Sequence, residues 1–118
     1  TLSGQRHEIG ALFAASAAAL DGWRVTYLGS DLPAPDIARV AIDVGASAIA
    51  LSITTVSPGL PDELSLLRKR VGSAMSILVG GQQAEAMASA VRQIDVVRDV
   101  DAFRGMLRKV AAASVTVS

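Results

Sequence analysis

The chain holds one histidine, and its setting is the first place to look for chemistry. His7 lies in the run Gln5-Arg6-His7-Glu8-Ile9-Gly10, in a predicted loop entering a helix. An imidazole is neutral or charged near physiological pH, so it serves as metal ligand or proton carrier, or as a hydrogen-bonded structural residue. Three features favour a ligand. The loop falls at the predicted ligand edge of a parallel sheet. Gly10 follows at a spacing where a missing side chain would let a bulky planar group approach. Ser52 and the pair Gly80-Gly81 arrive at the same edge from later strands. Each has a plainer reading as well: Ser52 as a solvated strand end, Gly80-Gly81 as an ordinary strand-to-helix turn.

Other candidates for chemistry are weaker. The chain has no cysteine, which excludes disulfides, thiolate metal sites and cysteine nucleophiles. Asp31 and Asp36 suggest an acidic phosphoacceptor pocket, but the acidic pair expected at the end of a first strand is missing, as is a lysine at a late strand end. Asp36 reads more simply as a first-turn helix residue. Arg68-Lys69-Arg70 reads as a solvated helix face and Trp23 as a partly buried strand anchor. No Ser-His-acid set or carboxylate pair is evident.

These residues need a scaffold, and the apolar pattern supplies one. Ile9 to Leu20 reads as a helix with large apolar residues at Ile9, Leu12, Phe13 and Leu20 and mostly alanines between, giving a small-residue face that can lie close against a sheet; Gly22 stops it. Val25 to Leu28 reads as a strand. Pro35 fits the first turn of a second helix with a buried stripe of Ile37, Val40, Ala41 and Val44, ended by Gly45. Ala48 to Ile53 is a continuous apolar run, as in a strand covered on both faces. Pro61 opens a helix with Leu64, Leu67 and Val71 on one side. Ser76 to Val79 is the next strand, Gln83 to Val91 a fourth helix, and Asp95 to Val97 a short strand. Asp99 caps a last helix carrying Phe103, Met106, Leu107 and Val110.

Alternating strands and helices predict an α/β fold: a flavodoxin-like, Rossmann-like parallel sheet with helices on both faces. Ligands of such sheets sit beyond the carboxyl ends of the strands, near the reversal of winding. The segments Gln5 to Gly10, Gly29 to Pro33, Ser52 to Gly59 and Gly80 to Gln83 all converge there. One strand is missing from this scheme. The His7 loop should follow a central strand, yet only Thr1, Leu2 and Ser3 precede it. The first strand therefore reads as truncated, and residues 1–118 as one domain cut from a longer protein. The tail Ser114 to Ser118 alternates like a strand, but is not expected to fill the gap.

Bulk properties narrow the function classes. The 118 residues are 51% hydrophobic and 3% aromatic, enough for one core of Ala, Val, Leu and Ile. Eleven basic and eleven acidic residues balance, so nothing points to nucleic acid or an anionic membrane. No apolar run is long enough to span a bilayer. A cytoplasmic location is expected.

In this order and at these spacings, the residues resemble the signature of the cobalamin-binding domain family. That signature reads Asp-x-His-x-x-Gly, then Ser-x-Leu, then Gly-Gly. It is met here by Gln5-x-His7-x-x-Gly10, Ser52-Ile53-Thr54 and Gly80-Gly81. The stretch Gly22 to Gly29, followed by Asp31-Leu32-Pro33, resembles the family's second strand and loop. The similarity covers almost the whole chain. It is closest to the sensory modules of MerR-type transcriptional regulators, in the Arg-His-Glu-Ile-Gly and Tyr-Leu-Gly-x-Asp-x-Pro stretches.

The resemblance implies a cobalamin cofactor, as adenosylcobalamin or methylcobalamin, with its dimethylbenzimidazole tail detached from cobalt and buried in the protein. His7 then takes the lower axial site, as neutral imidazole suits cobalt. Ser52 offers its hydroxyl to the buried base, and Gly80 and Gly81 leave a slot for the nucleotide tail. Gln5, Arg6, Glu8, Ile9, Gly10 and Thr54 complete the implied cofactor-binding set. Gln5 stands where an acidic residue is usual. Its carbonyl still accepts a bond from the distal ring nitrogen but carries no charge, and losses of this kind weaken metal affinity by about 10–100-fold. Thr54 in place of Leu is a milder departure.

The resemblance further implies a light-responsive regulator, without catalytic residues of its own, that reaches DNA only through a domain outside this chain. Homo-oligomers are compatible with it, and a membrane partner is not implied. Two alternatives stay open. One is a corrinoid carrier domain of a methyltransferase or mutase. The other is a degenerate module that mediates protein contacts without cofactor.

Overall fold

The computed structural model describes residues 14–28, 33–53, 58–81, 84–86, 91, 93–110 and 114–117. Residues 14–20 are helical (α1) and lead to strand β1, Arg24–Tyr27. Then follow α2 (Ala34–Asp43), β2 (Ala48–Ser52), α3 (Leu60–Val71) and β3 (Ser76–Gly80). Helical residues 84–86 (α4), β4 (Asp95–Val96), α5 (Val100–Arg108) and β5 (Ser114–Val117) complete the order.

Local chemistry accounts for the helix ends. Pro35 and Pro61 sit in the first turns of α2 and α3, where a missing N–H costs nothing and φ is already helical. In α3, Asp62 and Glu63 occupy the first turn and Arg68, Lys69 and Arg70 the last, so both charge sets favour the helix dipole. Asp99 caps α5, its carboxylate accepting from the Ala102 N–H at 2.7 Å.

All five strands pair in parallel, in the order β1-β5-β2-β3-β4, giving a flavodoxin-like α/β sheet. Two apolar layers cover it. Ile49, Ile77 and Val79 point to one face and pack with Ile37, Ala38, Ala41, Leu64, Leu67 and Ala84 from α2, α3 and α4. Ala48, Ala50, Leu78, Val115 and Val117 point to the other, with Ala18 of α1 and Phe103 and Leu107 of α5. Crossovers from β1 through β4 use the first face, and α5 returns the chain across the second. Opposite directions of travel need opposite faces when every crossover is right-handed.

The interior of the sheet corrects one sequence expectation. The tail is a strand, and it does fill the gap: β5 lies between β1 and β2, with Tyr27 and Ala50 both opposite Val117. Val115, Thr116 and Val117 are fully buried. Local alternation made 114–118 strand-like, but the choice of slot is a tertiary matter. A four-residue segment with apolar side chains on one face and a threonine on the other suffices once both neighbours offer unpaired backbone. Among the described residues, the slot beside β1 and β2 is thus taken by β5.

α1 buries Ala17 and Ala18 and lies against the sheet on its small-residue face, as expected, while Leu20 is 87% exposed. The apolar stripe of α2 differs from expectation. In α2 the buried set is Ala34, Ile37, Ala38 and Ala41; Val40 is half-buried and Val44, at the C-cap, is exposed. Arg68 departs from a solvated face too. Its Nη1 donates to the carbonyls of Gly72 at 2.8 Å and Met75 at 2.6 Å, and Nη2 donates to that of Gln93. It ties the loop before β3 to the loop before β4, while Lys69 and Arg70 are exposed. Burial draws the Arg68 guanidinium pKa down and the nearby Asp95 carboxylate opposes that.

Candidate functional site

The register of β2 and β3 sets the geometry of the carboxyl edge. Five consecutive pairs run from Ala48 opposite Ser76 to Ser52 opposite Gly80. The Ile53 N–H then donates to the Gly80 carbonyl at 2.7 Å, carrying the ladder one residue past both strands. Ser52 is half-buried and Ile53 is buried beneath it. On the other flank of β2, the described pairing with β5 stops at Ala50 opposite Val117. Ser52 therefore stands two residues beyond that pairing, at a step in the edge.

Gly81 turns the chain away from the sheet. Its φ is +103°, and a Cβ there would lie 2.3 Å from the Ile53 carbonyl oxygen and 2.9 Å from the Ile53 nitrogen. Those are backbone atoms of a paired strand and cannot give way. Gly80 is also confined, since its Cβ would meet the Val97 oxygen at 3.2 Å and Val97 Cγ2 at 3.3 Å. Both positions thus demand small residues for reasons internal to the protein, before any ligand is considered. The Gly81 carbonyl accepts from the Ala84 N–H at 3.3 Å, which starts α4.

Ser52, Gly80 and Gly81 are therefore brought together, in register, at one edge. Gln5, Arg6, His7, Glu8, Ile9, Gly10 and Thr54 lie outside the described residues. Among the described residues no group of three or more His, Cys, Asp or Glu could hold a metal ion, and no helix is long and apolar enough to cross a membrane. Trp23 is half-buried against the α1/α5 core layer, as a strand anchor should be.

Sequence reasoning passed over one pair at this edge. β4 runs beside β3 with Leu78 opposite Asp95 and Val79 opposite Val96, and the Val97 N–H donates to the Val79 carbonyl at 2.8 Å. Arg98 is the next residue. Its Nη2 pairs with Glu85 Oε1 of α4 at 2.8 Å, with the two side chains 80% and 67% exposed. The ion pair joins the segments leaving β3 and β4. Nothing local in the sequence marks it, because it depends on the β3–β4 register.

A profile of the B12 binding domain family matches residues 1–107. This chain belongs to that family: it is a cobalamin-binding domain on a five-stranded parallel sheet. No curated protein matches the chain significantly. The matched stretch ends within α5, so the interior strand β5 lies outside it.

Proposed function

We propose that the chain binds cobalamin with the dimethylbenzimidazole base detached from cobalt, His7 as the lower axial ligand, and Ser52, Gly80 and Gly81 against the nucleotide tail. The observation that carries this is the row Ser52–Gly80–Gly81 at the carboxyl edge, inside the family-matched stretch. Across three neighbouring positions no side chain exceeds a hydroxymethyl group. A flat aromatic base can come close to the strand ends there, with the Ser52 hydroxyl able to bond a ring nitrogen. Gln5 and Gly10 keep their parts in this reading, Gln5 accepting from the distal imidazole nitrogen and Gly10 leaving room for the corrin. In this reading Arg6, Glu8, Ile9 and Thr54 complete the cofactor-binding set. Bound cobalamin would supply ligand exchange at cobalt; the chain would supply His7 as a ligand and the Ser52–Gly80–Gly81 row against the tail.

The test is a titration with hydroxocobalamin followed by visible absorption. A spectral change that His7→Ala diminishes supports the ligand. Identical spectra for both proteins overturn it.

In this reading the domain is the sensory module of a cytoplasmic B12-dependent transcriptional regulator that responds to light, meeting DNA through a domain outside this chain. The similarity of Arg6-His7-Glu8-Ile9-Gly10 and of Tyr27-Leu28-Gly29-x-Asp31-x-Pro33 to MerR-type sensory modules supports it. The mass of the adenosylcobalamin-loaded protein, measured by light scattering in the dark and after illumination, is expected to differ. An unchanged mass rejects light sensing and leaves the corrinoid-carrier reading.

A further inference from the structure

We propose that Arg98 is the phosphate-binding residue of this domain, contacting the phosphodiester in the nucleotide tail of cobalamin. This rests on the cobalamin reading above and adds a residue that the sequence signature does not contain.

The carboxyl edge is acidic. Asp36, Asp62 and Glu63, and Asp101 lie in the first turns of α2, α3 and α5, and Glu85 and Asp99 lie on the segments after β3 and β4. Arg98 is the one Lys or Arg on a loop of that edge among the described residues. Of the other described cations, Arg24 opens β1 at the far edge, Arg68, Lys69 and Arg70 lie in the last turn of α3, Arg108 and Lys109 end α5, Arg104 pairs with Asp21, and Arg39, on α2, is already paired with Asp36 at 3.3 Å. A tail that reaches Ser52 and Gly80 brings one negative charge to this surface, and needs one positive partner beside acidic neighbours.

The strand register places that partner. A Cβ at Gly80 would meet the Val97 carbonyl oxygen at 3.2 Å across the β3–β4 ladder, and Arg98 is the residue that follows Val97. Glu85 holds one guanidinium nitrogen at 2.8 Å, which restricts the side chain while leaving it 80% exposed. Guanidinium offers five N–H donors in a planar fork, matched to two phosphate oxygens at once. An exposed Arg–Glu pair adds little to stability, so its replacement leaves the fold intact and isolates binding.

Calorimetric titration of the full chain with three corrinoids tests the assignment: hydroxocobalamin, cobinamide phosphate (phosphate without base) and cobinamide (neither). Arg98→Gln is expected to weaken the first two by about tenfold, the scale of one charge-assisted hydrogen bond, and to leave cobinamide unchanged. Arg98→Lys should retain part of the affinity and its salt dependence. Equal affinities of wild type and Arg98→Gln for hydroxocobalamin overturn the assignment alone, as does a loss that extends to cobinamide or spares cobinamide phosphate. A wild-type chain that takes up none of the three overturns the cobalamin reading itself.

Discussion

Arg104 grips Asp21 through both carboxylate oxygens, Nε to Oδ2 at 2.8 Å and Nη2 to Oδ1 at 2.7 Å, across 83 positions of sequence. The fork ties the turn after α1 to the middle of α5, the two elements that share one face of the sheet. The Arg104 hydrogen bonds hold the Asp21 carboxyl below the usual aspartate range, with Coulombic help from Arg104 and Arg108 against a desolvation penalty.

The sign of the pH effect follows. A carboxyl with a lowered pKa in the folded state contributes stability at pH values above its unfolded pKa, and that contribution is lost as pH falls through the lowered value. Urea unfolding between neutral pH and pH 3 is expected to show Asp21→Asn less stable than wild type at neutral pH, with the two converging in acid. Added salt should narrow the difference, because the pair is partly exposed. Parallel curves at all pH values would show that this pair does not couple to folding.

Thr116 offers the opposite case. It is fully buried in the interior strand β5, flanked by Thr26 and Ile49, and its Oγ1 has no hydrogen-bond partner among the described residues. An unsatisfied buried hydroxyl costs about 1–3 kcal/mol. Thr116→Val keeps the shape and removes the oxygen, so the urea midpoint should rise by an amount equivalent to about 1 kcal/mol. A lower midpoint would mean that the hydroxyl has found a partner.

Gly81 should tolerate no side chain. Gly81→Ala places a methyl 2.3 Å from the Ile53 carbonyl oxygen at a φ of +103°, an overpacking that costs about 1–3 kcal/mol before backbone strain is counted. Gly80→Ala meets its neighbours only at 3.2 Å and beyond, and should cost less. Thermal unfolding of the two variants tests this ranking, and the reverse order would show that the β2–β3 edge relaxes more easily than the β3–β4 edge.

The Asp99 carboxylate satisfies the Ala102 N–H at the start of α5. Asp99→Ala should destabilise the domain by about 1 kcal/mol, the usual worth of such a cap. Asp99→Asn or Asp99→Ser should recover most of it in the same unfolding measurement, because an amide or hydroxyl oxygen accepts the same bond.

Legibility in the sequence followed the range of the interaction. β2 and β3 were plain because a strand covered on both faces has no polar side, and the Asp99 cap was plain because it spans three residues. Ser52 and Gly80-Gly81 could be placed at one edge from strand order alone. The small-residue face of α1 was legible as well, because its alanines let the helix approach the sheet closely while Leu20 stays exposed. The misreadings were long-range. Arg68 looked solvated in a basic run until the carbonyls of Gly72, Met75 and Gln93 came within its reach. The rigidity of Gly81 and the place of Arg98 depend on which strands are neighbours, which periodicity does not encode. Above all, a short valine-rich tail gives no local sign that it will sit in the middle of a sheet.

That placement has a kinetic corollary. Among the described residues β1 has one strand partner, and it is β5. The interstrand bonds described for Arg24–Tyr27 must therefore wait for Ser114–Val117, while β2, β3 and β4 can zip together from nearer neighbours. Closing so wide a loop makes assembly slow relative to local structure. On a ribosome, the domain would hold one flank of its sheet open until the tail emerged.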